Sequence, residues 1–447
     1  IDWVYSAAGK QEIPLFDCAE GGEKVSIFVV AGYNGKKKKA DTYAIFRRAE
    51  PADVHDTARA FYYDAFSLFM LLLTYGQNEY LTKERAGEIN AALKKAFTLY
   101  FKKDADGARA LLKNVSEKGI DYKAPAYTAI GHAHLDLAYL WPIRETKRKG
   151  ARTFANQLNN LKKYPDYVFG ASQAQLFQWM KDLYPTVYAD IKKAVAAGRI
   201  EIQGAMWTEN DCNIPSGESI IRQFLYGEEF FEKEFGRGSK VVWLPDVFGY
   251  PASLPQIFRG CGRDYFATIK LTWNNHNKFP YKTFKLKGKA ANEILSHMAP
   301  QGNYNSTATP MAFVKSFKGN PQRKDIDHAL MIFGIGDGGG GPGEAPLELL
   351  QREKNVNGLV PVKFGSAGEF FEKLSADKEA KIPVYEGELY LEKHQGTYTS
   401  QAKNKLYNRL MEQELHTLEW LCSLATLKGI KRDKAALDEI WKEVLLY

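Results

Sequence analysis

From residue 126 to residue 356, short apolar runs alternate with longer amphipathic stretches, and no other feature restricts the fold as much. Residues 127–131 precede an amphipathic stretch at 153–164, 200–206 precede 216–235, 241–244 precede 253–259, and 329–335 precede 345–356. A short run rich in β-branched and aromatic residues reads as a strand, and a longer stretch with apolar residues every three or four positions reads as a helix. Consecutive strands joined through helices run parallel, so the repeat predicts βαβ units and a largely parallel sheet or barrel.

The flanks differ in texture. Residues 1–50 hold two β-prone runs, 24–33 and 42–47, joined through an Asn-Gly-Lys turn whose lysine run, 36–39, reads as a solvated hairpin tip. A β-rich accessory region is expected there. Between 51 and 122 the period turns helical, with Pro51 suited to a first turn. The most apolar stretch, 61–75, carries Asp64 and is too short to cross a bilayer, so it reads as a buried helix. The main domain is placed at 123–385. Residues 386–447 hold one more polar loop and two helical stretches, 405–424 and 433–446, expected to begin a helical bundle. The pattern breaks off at Tyr447, so a longer protein is expected.

Composition serves mainly to exclude. The chain has 61 basic and 53 acidic residues, a net +8 over 447 residues, and no long basic run carries interleaved aromatics. No nucleic-acid partner is expected. Cys18, Cys212, Cys261 and Cys422 form no CxxC pair, which disfavours a disulfide framework or a thiolate zinc site. No secretory signal opens the chain, although it begins at Ile1 and not at a methionine. A cytoplasmic protein without a membrane partner is the expectation.

Parallel α/β folds place their chemistry at the carboxyl ends of strands, so the residues just after each apolar run are informative. The run 127–131 leads into His132-Ala-His134-Leu-Asp136, and 200–206 into Trp207-Thr-Glu209-Asn210-Asp211. The run 241–244 leads into Pro245-Asp246, 329–335 into Gly336-Asp337 and four glycines, and 387–391 into Glu392-Lys-His394. Each run ends on a carboxylate or an imidazole, which in sequence order suggests one site. In an extended segment His132, His134 and Asp136 point to the same side. Imidazole with carboxylate suits zinc or a related transition metal better than calcium.

Bland readings compete at every position. Asp211 could serve the start of the helix at 216–235, Asp246 a turn, and His394 a satisfied core. The glycine run at 338–341 lacks the Lys-Ser/Thr of a phosphate loop, and Asp337 would repel phosphate, so close backbone approach to an uncharged ligand fits better.

Taken together, five stretches resemble glycoside hydrolase family 38, the α-mannosidases, in its bacterial and cytosolic or vacuolar branch. They are GHAHLDLAYLWPIRET (131–146), GAMWTENDCNIPSGES (204–219), WLPDVFGYPASLPQI (243–257), FGIGDGGGGP (333–342) and GELYLEKHQGTYTSQA (387–402), in the family's order. The resemblance implies a seven-stranded, barrel-like β/α catalytic domain and a divalent metal, zinc or cobalt. It implies His134, Asp136, Asp211 and His394 as metal ligands, with Asp211 also the nucleophile and Asp337 the general acid/base. His132 has no ligand role in that pattern and is a candidate for substrate contact or for orienting a ligand. Animal relatives place a stacking tryptophan where this chain has Tyr139; Trp141, Trp207 and Asp246 are further candidates near the sugar.

The implied activity is that of a retaining exo-α-mannosidase acting on mannose-containing oligosaccharides, in an oligomeric, cytoplasmic or vacuolar protein. Retention requires two carboxyls roughly 5–5.5 Å apart, one ionised and one carrying a proton. A metal-dependent deacetylase or amidohydrolase is the alternative, in which the His/Asp set would activate water. An inactive carbohydrate-binding fragment is another, since family members continue into β domains beyond the helical bundle.

Overall fold

The computed structural model describes residues 15–16, 19–26 and 53–446. The β-rich region expected at 1–50 lies almost wholly outside the described residues. Among the described residues three helices come first: α1 (Asp56–Leu72), α2 (Lys83–Phe101) and α3 (Ala105–Ser116). Thr82 and Asp104 cap α2 and α3 by accepting from the amides of Arg85 and Gly107, donors that a helix start otherwise leaves unpaired. On α1, Phe61, Ala65, Leu68 and Leu71 recur at helical spacing and are all buried. They share one hydrophobic cluster with Tyr127 and Ala129 of the first strand.

Next come β1 (Ala126–His132), α4 (Ile143–Lys163), β2 (Phe169–Ala171), α5 (Ala174–Leu183), α6 (Pro185–Ala196) and β3 (Ile200–Ile202). They are followed by α7 (Gly217–Phe235), β4 (Val241–Trp243), α8 (Leu254–Gly260), β5 (Tyr265–Thr268), β6 (Thr283–Lys287) and β7 (Glu293–Met298). Then come α9 (Pro310–Lys318), β8 (His328–Gly334), α10 (Glu344–Glu353), β9 (Val362–Phe364), α11 (Ala367–Ala376), β10 (Val384–Glu386), α12 (Ala402–Leu427) and α13 (Lys434–Leu446). No described helix is long and apolar enough to cross a membrane.

Among the described residues the strands form two five-stranded sheets. One has the order β3-β2-β1-β8, all parallel, with β9 also beside β1; the other has the order β10-β6-β7-β5-β4. In the second sheet only β6 and β7 are antiparallel. The mixed α/β architecture with parallel strands agrees with the sequence. A ring of seven paired strands does not close among the described residues, because no ladder joins the two sheets. They meet instead through single bonds. Gly204 N donates to Val241 O at 3.0 Å. The buried His297 ring on β7 accepts from Leu330 N of β8 at 3.3 Å through Nε2, and its Nδ1 lies 2.9 Å from Thr283 Oγ1 of β6.

Local departures have local causes. The helix expected at 153–164 begins at Ile143, because its first turns are charged (RETKRKG) and show no apolar period. The strand expected over 200–206 stops at Ile202, where Gly204 and Ala205 turn the chain with positive φ. The run 387–391 forms no strand; Leu389 makes an isolated bridge with Tyr250. At the end, α12 buries Glu412, which accepts from Ser216 N and Ser219 Oγ at the start of α7, while Leu406, Tyr407, Trp420 and Leu421 are exposed.

A carboxylate and histidine centre at the strand ends

Four side chains converge just past the carboxyl ends of β1, β4 and β8. His134, Asp136, Asp246 and Asp337 each offer one ligand atom, all within 4.8 Å of one another. The His134–Asp136 segment is fastened to the Asp337 loop: Asp136 N donates to Asp337 O at 2.9 Å, and Leu135 pairs with Gly338. Asp337 is held at φ 59°, and Gly339, Gly340 and Gly341 also have positive φ. Such a run is strained for most side chains, which explains the glycines. The run docks on α4, where Gly340 N donates to Thr153 Oγ1 at 2.7 Å and Gln157 Nε2 donates to Gly340 O at 2.8 Å.

His134 is buried, and both ring nitrogens are engaged. Nδ1 lies 2.8 Å from Glu209 Oε2, while Nε2 lies 3.2 Å from both Asp136 Oδ1 and Asp246 Oδ2. Glu209 is itself fixed by Ser172 Oγ and, through its backbone amide, by Gln173 Oε1. Burial alone would favour the neutral ring, but Glu209 foremost, with Asp136 and Asp246, outweighs it and raises the His134 pKa well above the usual value. Asp246 shows the reciprocal effect: burial opposes ionisation, yet His134 and Lys270 hold the carboxyl well below the usual carboxylate range. Asp136 goes the other way and is raised. Burial and the charges of Asp246 and Asp337 exceed what His134 contributes.

Tyr304, in the loop after β7, ties two acids together. Its hydroxyl is 3.0 Å from Asp246 Oδ2 and 2.8 Å from Asp337 Oδ1. Burial, with those two charges, pushes the phenol far up, so it stays a neutral donor. Lys270, just past β5, makes an ion pair with Asp246 Oδ1.

Other residues singled out in the sequence lie elsewhere. Asp211 and His394 are outside the four-residue cluster. Asp211 Oδ2 accepts from Ile214 N at 2.8 Å in the turn before α7, and burial, partly offset by such amides, raises its pKa. His394 is exposed, at φ 64°, with its ring 4.6 Å from Phe248 and 5.9 Å from Trp273. Its ring shares Phe248 and Trp273 with the Lys270 ammonium, and partial burial and that charge lower its pKa, with Asp246 opposing. The two loops are tied by Tyr398, whose hydroxyl accepts from Asn213 Nδ2 at 2.6 Å and donates to Phe248 O at 2.6 Å. His132 lies fully buried beneath the cluster against Trp243, held neutral by burial with a pKa of about 3. Trp207 is 2% exposed and donates its indole N–H to Gln175 at 3.1 Å, in the core and not at the site. Trp141 is likewise buried, while Tyr139 is 54% exposed with its ring edge-on to Trp141.

Residues 125–388 match the model of the glycosyl hydrolases family 38 N-terminal domain, which is more than half of the chain. The chain belongs to glycoside hydrolase family 38. Residues 392–447 match the α-mannosidase middle domain that accompanies it. Alpha-mannosidase G of Dictyostelium discoideum is 45% identical over 71% of this chain and 29% of its own length. The α-mannosidase of Saccharomyces cerevisiae is 38% identical over 74% of this chain and 32% of its own. The family 38 chain therefore spans about a third of the curated relatives it matches. Among solved structures, an α-mannosidase from Enterococcus faecalis V583 superposes with a TM-score of 0.61 at 17% identity, covering 72% of this chain and 38% of that one. That likeness concerns the fold.

The structure also assembles residues that no sequence signal had marked. Glu209 lies inside the Trp-Thr-Glu-Asn-Asp segment, and the need of a ligating histidine for a carboxylate behind it could have singled it out. Lys270 sits past a strand end but is a cation, unlike the acids and imidazoles that mark the other strand ends. Tyr304 carries no motif.

Proposed function

We propose that this chain carries the catalytic centre of a retaining, metal-dependent exo-α-mannosidase. The observation that supports it most is the convergence of His134, Asp136, Asp246 and Asp337 within 4.8 Å at strand ends of a family 38 chain, with His134 backed by Glu209. An imidazole with carboxylate oxygens is a donor set that suits zinc or cobalt, and a carboxylate on the far nitrogen is the usual support of a ligating histidine. On this reading His134 Nε2, Asp136 and Asp246 would hold the ion, and Asp337 beside them is left to carry a proton. Asp211 and His394, which the family pattern makes ligands, lie outside the four-residue cluster on the loops joined by Tyr398. The chemistry such an ion supplies is capture of vicinal sugar hydroxyls, which fixes the ring and favours mannose with its axial 2-hydroxyl.

The chain's own groups carry the bond changes. The Asp211 carboxylate attacks the anomeric carbon as Asp337 gives its proton to the departing glycosidic oxygen, leaving a mannosyl ester on Asp211. Asp337 then takes a proton from water, whose oxygen attacks the same carbon and releases Asp211, so configuration is retained. Tyr304 holds Asp337 and Asp246 in register, and Tyr139 offers an exposed ring to the sugar. The substrate is a mannose-terminated oligosaccharide, and we place the protein, as a homo-oligomer, in the cytoplasm or a vacuole.

The test is hydrolysis of an aryl α-mannoside with and without chelator and restored zinc, the product anomer being read by proton NMR. Activity that disappears with chelator, returns with zinc and yields the α-anomer first supports the reading. Release of the β-anomer first, or full activity of Asp211→Asn, would sink it.

A further inference from the structure

The acid cluster contains a positive charge of its own. Lys270, first residue of the 3-10 turn Lys270–Trp273, is 2% exposed, a rare state for lysine. Its Nζ pairs with Asp246 Oδ1 and lies 3.6 Å from the Trp273 ring centre and 5.3 Å from that of Phe248. The other oxygen, Oδ2, is turned to His134 Nε2 at 3.2 Å and to the Tyr304 hydroxyl at 3.0 Å. Asp246 thus gives one oxygen to the metal-ligating side of the cluster and the other to an ammonium.

A carboxylate shared in this way is how two-metal centres are bridged, with ions roughly 3.5–4 Å apart. Here the outer place is lined by two aromatic faces, which favour an ammonium and offer no oxygen to a divalent ion. His394 lies across the same two rings. Removing the lysine would therefore leave Asp246 Oδ1 and a nearby imidazole facing each other across a space that has lost its cation.

We propose that Lys270 is a positioning residue whose ammonium fills the outer cation place on Asp246, so that the cluster takes one divalent ion and holds it less tightly than its carboxylates alone would. The inference rests on the metal-dependent reading above. A fixed like charge a few ångströms from a dication costs more than one factor of ten in affinity unless fully screened, and a buried group is screened little.

The test is a Zn²⁺ titration of metal-stripped protein against a chromophoric competitor, comparing wild type, Lys270→Met and Lys270→Arg, with circular dichroism on each. Wild type and Lys270→Arg should take one ion per chain with equal affinity. Lys270→Met should bind about tenfold tighter or more, a gain of about 1.4 kcal/mol or more, or take up a second ion. Should Lys270→Met fail to fold, Lys270→Gln, which keeps a hydrogen-bond donor for Asp246 without the charge, carries the same expectation. A folded neutral variant that binds Zn²⁺ as wild type does, or more weakly, overturns the inference and leaves the metal-dependent reading standing. If neither wild type nor the neutral variant binds Zn²⁺, both fall.

Discussion

Gly336 offers the sharpest test of how the acid pair is held. A Cβ at this position would lie 2.1 Å from Cε2 and 2.5 Å from Cδ2 of Tyr304, where ordinary contact begins at 3.4 Å. The ring, or the Asp337 loop beside it, must therefore move by about 3.4 − 2.1 = 1.3 Å. The Tyr304 hydroxyl now stands 3.0 Å from Asp246 and 2.8 Å from Asp337, and a shift of that size breaks both bonds. Misplacing a catalytic group by about 1 Å costs on the order of a hundredfold in rate. Overfilling a packed site costs about 1–3 kcal/mol in stability, which in a large domain shifts Tm by only several degrees. Gly336→Ala should accordingly lose about a hundredfold in kcat on an aryl α-mannoside while still unfolding cooperatively. Tyr304→Phe, which removes the hydroxyl without displacing the ring, should lose less. If Gly336→Ala turns over at nearly the wild-type kcat, Tyr304 does not hold the acids as argued.

Three further outcomes rest on the same geometry. Glu209→Gln removes the anion behind His134 and should weaken zinc binding by roughly ten- to a hundredfold, read by the same competition titration; unchanged affinity would remove Glu209 from the centre. Trp207→Ala should cost about 3–5 kcal/mol in urea unfolding, as for a buried tryptophan, and a change confined to KM would instead place Trp207 at the sugar. Burial, with the Lys282 charge, holds the pKa of His297 down to about 3 from 6.5, so the unfolded chain takes up this proton first. Its contribution to stability is complete above about pH 6.5 and is lost towards pH 3 at about 1.4 kcal/mol per unit. His297→Leu should be less stable at pH 7 yet lose less than wild type between pH 7 and pH 5; equal losses would show that this ring does not titrate in that window.

Much of the fold was legible because its signals are local. The runs before Asp246 and Asp337 became β4 and β8 nearly to the residue, and the stretch before Gly236 became α7. Strands β6 and β7 escape a sequence reading because they break the strand–helix alternation. The start of α4 escapes it because a charged first turn hides a helix from an apolar count. Trp207 shows the opposite limit: a tryptophan beside a site motif reads the same whether it faces sugar or core, and only its burial against Gln175 and Phe230 decides.

By itself the sequence determined that strands and helices alternate, that acids and imidazoles stand at strand ends, and that the chain is of family 38, since each is written in neighbouring residues. Only the tertiary structure decided which of those groups meet. His134 and Asp246 are brought together, and Asp337 joins them because β8 pairs along the whole of β1. Asp211 and His394 lie outside those four, on loops tied by Tyr398, and Lys270 and Tyr304 enter from segments with no motif. Those partnerships depend on strand order and register across more than a hundred residues, which no local period encodes.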